Sequence, residues 1–174
     1  MANGIGVPNA DKFTLQESTP AANPTRLNQP AQVGTANSGP RKLRVLLVMT
    51  RVTIGGDTNV VLDIAEYLKA HPGYEVHLAA GPVPENEVDL TYLVHERAIP
   101  FTAIPSLVNR INPTTNLKAV LELRKVIVEG QYDIVHTHCS VAGVVGRMAA
   151  SLARVPVVVH HIHGWGVQED MSNT

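Results

Sequence analysis

Five of the eight histidines fall in two short stretches of this 174-residue chain. "IVHTHCS" carries His136 and His138 beside Cys139, the single cysteine, and Ser140; "VVVHHIHG" carries His160, His161, His163 and Gly164. Imidazoles and a thiol can ligate zinc-like cations, move a proton, or donate hydrogen bonds to developing negative charge. A zinc site takes three or four such groups, and its usual spacings, Cys-x-x-Cys and His-Glu-x-x-His, do not occur here. No acidic ligand stands within either stretch, so the spacing argues against a stoichiometric metal. Nucleophilic catalysis is not expected either. There is no Gly-x-Ser-x-Gly elbow, and His138 and Cys139, as neighbours in an extended run, would point apart.

The alternation of an extended chain puts His136 and His138 on one face, and His161 and His163 likewise, with His160 turned the other way. His138 and His163 end their runs and are the candidates for ligand contact. His136 and His160 are expected to be hydrogen-bonded within the packed layers. A further candidate is Gly55-Gly56, in "RVTIGGDT". Paired glycines let backbone N–H groups approach a ligand, and a helix N-terminus behind them favours an anion. The segment is neither Gly-x-Gly-x-x-Gly nor a Walker A loop, and a tight turn would use the same residues. Asp57 would repel a phosphate held directly at that helix end, and so reads as a cap or a sugar-hydroxyl acceptor.

Strands and helices alternate around these residues. Apolar runs predict strands over 43–50, 74–81, 99–105, 132–138 and 156–163. Helices are expected after Asp57 or Thr58 as cap, near 86–97, after Thr114 or Thr115 up to Gly130, and over 140–153. The last is slim: Ala142, Gly143, Gly146, Ala149, Ala150 and Ala153 would let it lie close to a sheet. Its Arg147 reads as a surface residue. Repeated strand–helix units predict an α/β fold, a doubly wound and mostly parallel five-stranded Rossmann-like sheet. Such sheets bind ligands beyond the carboxyl ends of their strands, where strand order switches. That draws attention to 51–57, 137–142 and 161–166.

Composition narrows the class. With 44% hydrophobic and 17% charged residues and a net charge of −1, the chain has the balance of a globular domain and no basic excess for nucleic acid. No apolar run approaches the roughly 18 residues of a membrane span, and one cysteine cannot form an intrachain disulfide. A cytoplasmic location is expected. Residues 1–40 scatter Pro, Asn, Gly, Ser and Thr without apolar period and read as a disordered leader to a domain over 41–174.

Taken in order, "TIGGDTNVVLDIAEYL", "EVHLAAGP" and "YDIVHTHCSVAGVVGRMAASLARVPVVVHHIHG" resemble the N-terminal half of family-4 glycosyltransferases of the GT-B fold. The likeness runs from about Arg41 to Trp165. It implies transfer of a sugar from a nucleotide-sugar to a sugar or lipid-linked acceptor, with retention at the anomeric carbon and no cofactor. Two Rossmann-like domains would face each other across a cleft, the N-terminal one mainly holding acceptor and the other mainly donor. By the same resemblance Gly55 and Gly56 lie by the donor phosphates, and His163, followed by Gly164, is the catalytic residue beside the transferred sugar. His138 and Ser140 match the histidine-rich turn at the cleft. The basic residues and paired glutamates of the family's donor half have no counterpart in the sequence. The expectation is therefore an acceptor-side half, truncated or completed by a separate donor-binding chain, and cytoplasmic or peripheral to the inner face of a membrane. The alternative is a non-catalytic sugar- or nucleotide-binding scaffold; a zinc-dependent hydrolase is a distant third.

The leader lacks the apolar surface that a docked segment buries. Deleting residues 1–40 should leave the thermal unfolding midpoint within a few degrees of the full chain, and a large drop would show that the segment packs on the domain.

Overall fold

The computed structural model describes residues 41–164. The leader and residues 165–174 lie outside that range, so the expected disorder of 1–40 and the end of the 161–166 segment are not addressed by it. In chain order the elements are β1 (Leu43–Met49), α1 (Gly56–Ala70), β2 (Tyr74–Ala80), α2 (Thr91–Glu96), β3 (Phe101–Ala103), α3 (Pro113–Gly130), β4 (Ile134–His138), α4 (Ser140–Leu152) and β5 (Val157–His161). All five strands are parallel in the order β3-β2-β1-β4-β5. Strand order therefore reverses between β1 and β4, whose carboxyl ends flank the switch point.

Local differences from the sequence reading have simple causes. Helix α1 is capped by Gly55 rather than Asp57 or Thr58; its φ of 173° is ordinary extended backbone. A Cβ there would meet Asp57 Oδ1 at 2.4 Å, so the glycine makes room for that carboxylate. Helix α3 starts earlier than expected, because the side chain of Asn112 accepts from Thr114 and Thr115 N–H at 3.1 and 3.2 Å while Pro113 takes the first helical position. The helix expected near 86–97 is shorter, since Leu90 and not an earlier residue precedes its first turn.

Strand β1 is the spine of the sheet. Val45, Leu47 and Met49 pack with Val61, Leu62 and Ala65 of α1, while Leu46 and Val48 pack with Val120 and Leu123 of α3 and Val145 of α4. Alternation then assigns the sides of β4: Val135 and Thr137 face α4, whereas Ile134, His136 and His138 face the α1 side. Register pairs His138 with His161 and Thr137 with His160.

The small-residue face of α4 brings that helix onto β4 and β5. A Cβ on Gly146 would sit 2.5 Å from the Thr137 methyl, and one on Gly143 would sit 2.3 Å from the His160 ring. Helix propensity favours almost any side chain over glycine here by less than about 1 kcal/mol. Overpacking a filled core costs about 1–3 kcal/mol, so contact outweighs propensity.

Gly146→Val should accordingly lower unfolding free energy by about 2 kcal/mol in urea titrations, whereas Gly73→Ala, where a Cβ meets nothing within 4 Å, should not. Equal stability of the two variants would mean that α4 does not press on β4.

Candidate functional site

Three chain segments meet at the carboxyl end of the sheet: the turn after β1 with Gly55, Gly56 and Asp57, the turn after β4 with Cys139 and Ser140, and the end of β5 with His161, His163 and Gly164. Two contacts tie them together. Cys139 Sγ donates to Asp57 Oδ2 at 3.2 Å, across 82 residues of sequence. His138 Nδ1 and His163 Nε2 lie 2.9 Å apart.

The second contact constrains both rings. His138 is fully buried. Burial, helped by the neighbouring imidazoles with His136 first, pushes its pKa down to about 3, so it is neutral at physiological pH. His163 is also lowered, by its partial burial and then by His161, against an opposing pull from Asp57. One of the two nitrogens in the 2.9 Å contact must therefore carry a hydrogen and the other accept it, leaving His163 Nδ1 as the nitrogen of a half-exposed ring that has no partner among the described residues.

Four imidazoles gather here. His136 lies 4.2 Å from His138 between ring centroids, His161 stacks on His163 at 4.2 Å and 10°, and His138 lies 5.7 Å from His161. The expected sharing of faces thus holds for both pairs. His160 turns the other way as anticipated, with Nδ1 3.0 Å from Thr137 Oγ1 and its ring against Gly143. His136 differs from expectation: it packs ring against ring within the cluster rather than serving as a hydrogen-bonded layer residue. Burial places His138 behind His163, with its Nδ1 against that ring.

The remaining candidates sit at two helix N-termini. Gly56 opens α1 and is exposed, with nothing within 4 Å of a would-be Cβ. Ser140 opens α4 and is exposed. Gly164 is likewise exposed and unhindered. Asp57, the residue that would oppose an anion there, stays at that N-terminus: its carboxylate lies against Gly55, with Oδ1 accepting from Thr58 N–H at 2.9 Å and Oδ2 from the Cys139 thiol. Arg147 donates to Gly143 O at 2.8 Å, on its own helix, as a surface residue would.

Sequence reasoning missed the backbone of Cys139. It is no strand residue; it caps α4 at φ 64°, ψ 167°, a region nearly reserved for glycine that costs a larger residue about 1–3 kcal/mol. Such strain gathers at functional turns, and this one lies at the switch point. The thiol itself is inert: burial, then the Asp57 hydrogen bond and charge, push it up to about 12. The dyad with His138 is absent because Sγ is committed to Asp57. Arg51 was also missed; it pairs with Glu87 at 2.5 Å. Those two residues line an open groove of about 500 Å³ with Pro82, Val108 and Asn112, on the same side of the sheet. A separate cavity of about 380 Å³, lined by Lys42, Arg44, Lys69 and Tyr132, lies at the amino-terminal edge of the strands, away from this chemistry.

An open doubly wound parallel sheet, with two helix N-termini and a half-exposed histidine at its carboxyl end, is a Rossmann-like domain. The sequence matches the glycosyl transferase 4-like domain family over residues 55–173, and the chain belongs to that family. It is 43% identical over 65 residues to the Escherichia coli UDP-Gal:alpha-D-GlcNAc-diphosphoundecaprenol alpha-1,3-galactosyltransferase, covering 37% of this chain and 17% of that enzyme. EpsD of Bacillus subtilis, named as a candidate glycosyltransferase, is 39% identical over 82 residues, covering 47% of this chain and 19% of its own length. The chain therefore spans less than a fifth of either relative. In fold it resembles MurG of Acinetobacter baumannii, with TM-score 0.53 and 24% identity over 68% of this chain and 35% of that one.

With its thiol near 12, Cys139 should react with iodoacetamide at pH 8 at least about 10²-fold more slowly than free cysteine, whose pKa is about 8.5. Asp57→Asn removes an acceptor and a repelling charge and should recover part of that rate. Fast labelling of the native chain, followed by mass spectrometry, would contradict the Asp57 contact.

Proposed function

We propose that residues 41–164 form the acceptor-side half of a retaining glycosyltransferase, which moves a sugar from a nucleotide-sugar to a sugar or lipid-linked acceptor. The observation that carries this is the convergence of His163, Gly55, Gly56 and Ser140 on the carboxyl ends of β1, β4 and β5. The leaving diphosphate gathers negative charge as the glycosidic bond breaks, and fixed donors aimed at that charge lower the barrier. The N-terminus of α4 supplies such donors without a charged side chain, while that of α1 shares its amides with Asp57. His163, steadied by His138, keeps one ring nitrogen for the transferred sugar, and Gly164 lets the backbone turn away behind it. The groove beside Arg51 is large enough for acceptor sugars. Cationic groups for the diphosphate and contacts to the nucleotide come from a second lobe, on a continuation of the chain or on a separate one. A lipid-linked acceptor would place the whole at the inner face of a membrane; no helix among the described residues is long and apolar enough to cross one.

The second reading, a binding or scaffold domain without turnover, shares the fold and is separated by assay. The chain alone should give no measurable transfer with a panel of nucleotide-sugars, and robust turnover would show that no second lobe is needed. Joined to a donor-binding lobe, it should transfer with the anomeric configuration kept. His163→Ala should then lower kcat about 10²-fold with little change in KM, as for loss of one donor to transition-state charge. Full turnover by that variant would remove His163 from the reaction. Tight nucleotide-sugar binding with no turnover in the joined protein would favour the scaffold.

A further inference from the structure

We propose that His136, His138 and His161 form a three-imidazole site for a divalent d-block cation of the zinc, cobalt or nickel kind. One nitrogen from each ring lies within 4.8 Å of the other two. Ligands around a tetrahedral zinc at about 2.0–2.1 Å stand about 3.3 Å apart, so closing on the ion needs movements of at most about 1.5 Å. His136 and His161 are half-buried side chains with room to make them. The linear motifs that usually announce zinc are absent because the ligands come from two adjacent parallel strands. Register, not local spacing, assembles them: His138 lies opposite His161, and His136 is two residues back on the same face.

A second observation points to the same place. His138 Nε2 is buried without a hydrogen-bond partner among the described residues, and unpaired buried polar atoms are costly. Its Nδ1 is already engaged by His163, so Nε2 is the nitrogen that His138 has to offer. Metal-bound imidazoles commonly donate their other N–H to a neighbour, which fixes tautomer and ring orientation. The 2.9 Å contact to His163 would do that: His138 Nδ1–H donates to His163 Nε2, and His163 then carries its own hydrogen on Nδ1. Among the described residues the site opens outward through the partly exposed His136 and His161: α4 packs on β4 and β5 from the other face, and Val157 and Val159 on the outer face are exposed. Three neutral nitrogens and no carboxylate suit zinc, cobalt or nickel and not magnesium or calcium, which prefer oxygen.

The test uses the full-length chain without an affinity tag, titrated with Zn²⁺ alone by calorimetry and with Co²⁺ by visible absorption. One equivalent of Zn²⁺ should bind at micromolar Kd or tighter, unaffected by excess Mg²⁺, with Co²⁺ giving the intense bands of a four-coordinate site. His136→Ala and His161→Ala, whose folding is checked by circular dichroism, should each weaken Zn²⁺ binding at least 10-fold. His163→Ala should weaken it through loss of orientation, by about 10–100-fold, and His95→Ala, outside the cluster, should not change it. Sub-stoichiometric or absent binding by the folded chain would overturn the proposal. So would binding that survives His136→Ala and His161→Ala together.

Discussion

Helix α4 lies against the sheet because two of its residues have no side chain. Gly143 and Gly146 let the helix backbone approach until the His160 ring and the Thr137 methyl occupy the space where Cβ atoms would be. That contact fixes the inner faces of β4 and β5 and, through their alternation, decides what the outer faces display. With Thr137 and His160 committed to α4, residues 136, 138 and 161 have one direction left to point. The exposed N-terminus of the same helix, at Ser140, is held beside the end of β1 by the Cys139–Asp57 contact. Packing on one side of the sheet thus organises chemistry on the other and at its end.

The electrostatics follow from the same arrangement. Burial first, and then the neighbouring imidazoles, displace His136, His138 and His163 towards the neutral form. Asp57 is the carboxylate near enough to oppose this at His163, yet both its oxygens are already hydrogen-bonded. The result is a carboxyl end of the sheet where a helix N-terminus at Ser140 lies beside imidazoles displaced towards the neutral form.

The sequence made the frame legible because its signals are local. Continuous apolar runs such as Leu43–Met49 report a strand covered on both faces, and five of them separated by helical periods leave few topologies. Caps were less legible. Asn112 outcompetes the threonines that follow it because its shorter reach to two N–H groups can be judged only once the turn has formed. The site was half legible: period 2 correctly paired His136 with His138 and separated His160 from His161. It could not show that the two strands are neighbours in a register that brings His161 to His138, nor that Asp57 meets Cys139. Those are relations between distant segments. The strained turn at Cys139 left no sequence signal, since glycine is the residue that would have announced it.

Because the histidines are addressed by register, the site has an unusual kind of fragility. A slip of β5 by one residue along β4 would turn every side chain to the opposite layer, sending His160 outward and driving His161 into the space against Gly143. No residue would have been substituted and no strand lost, yet the cluster would be dismantled. An insertion or deletion of a single residue within Val157–His161 is therefore a different event from one in the loop before it. The loop can absorb a change of length, whereas inside the strand the same change rewrites which layer each imidazole belongs to.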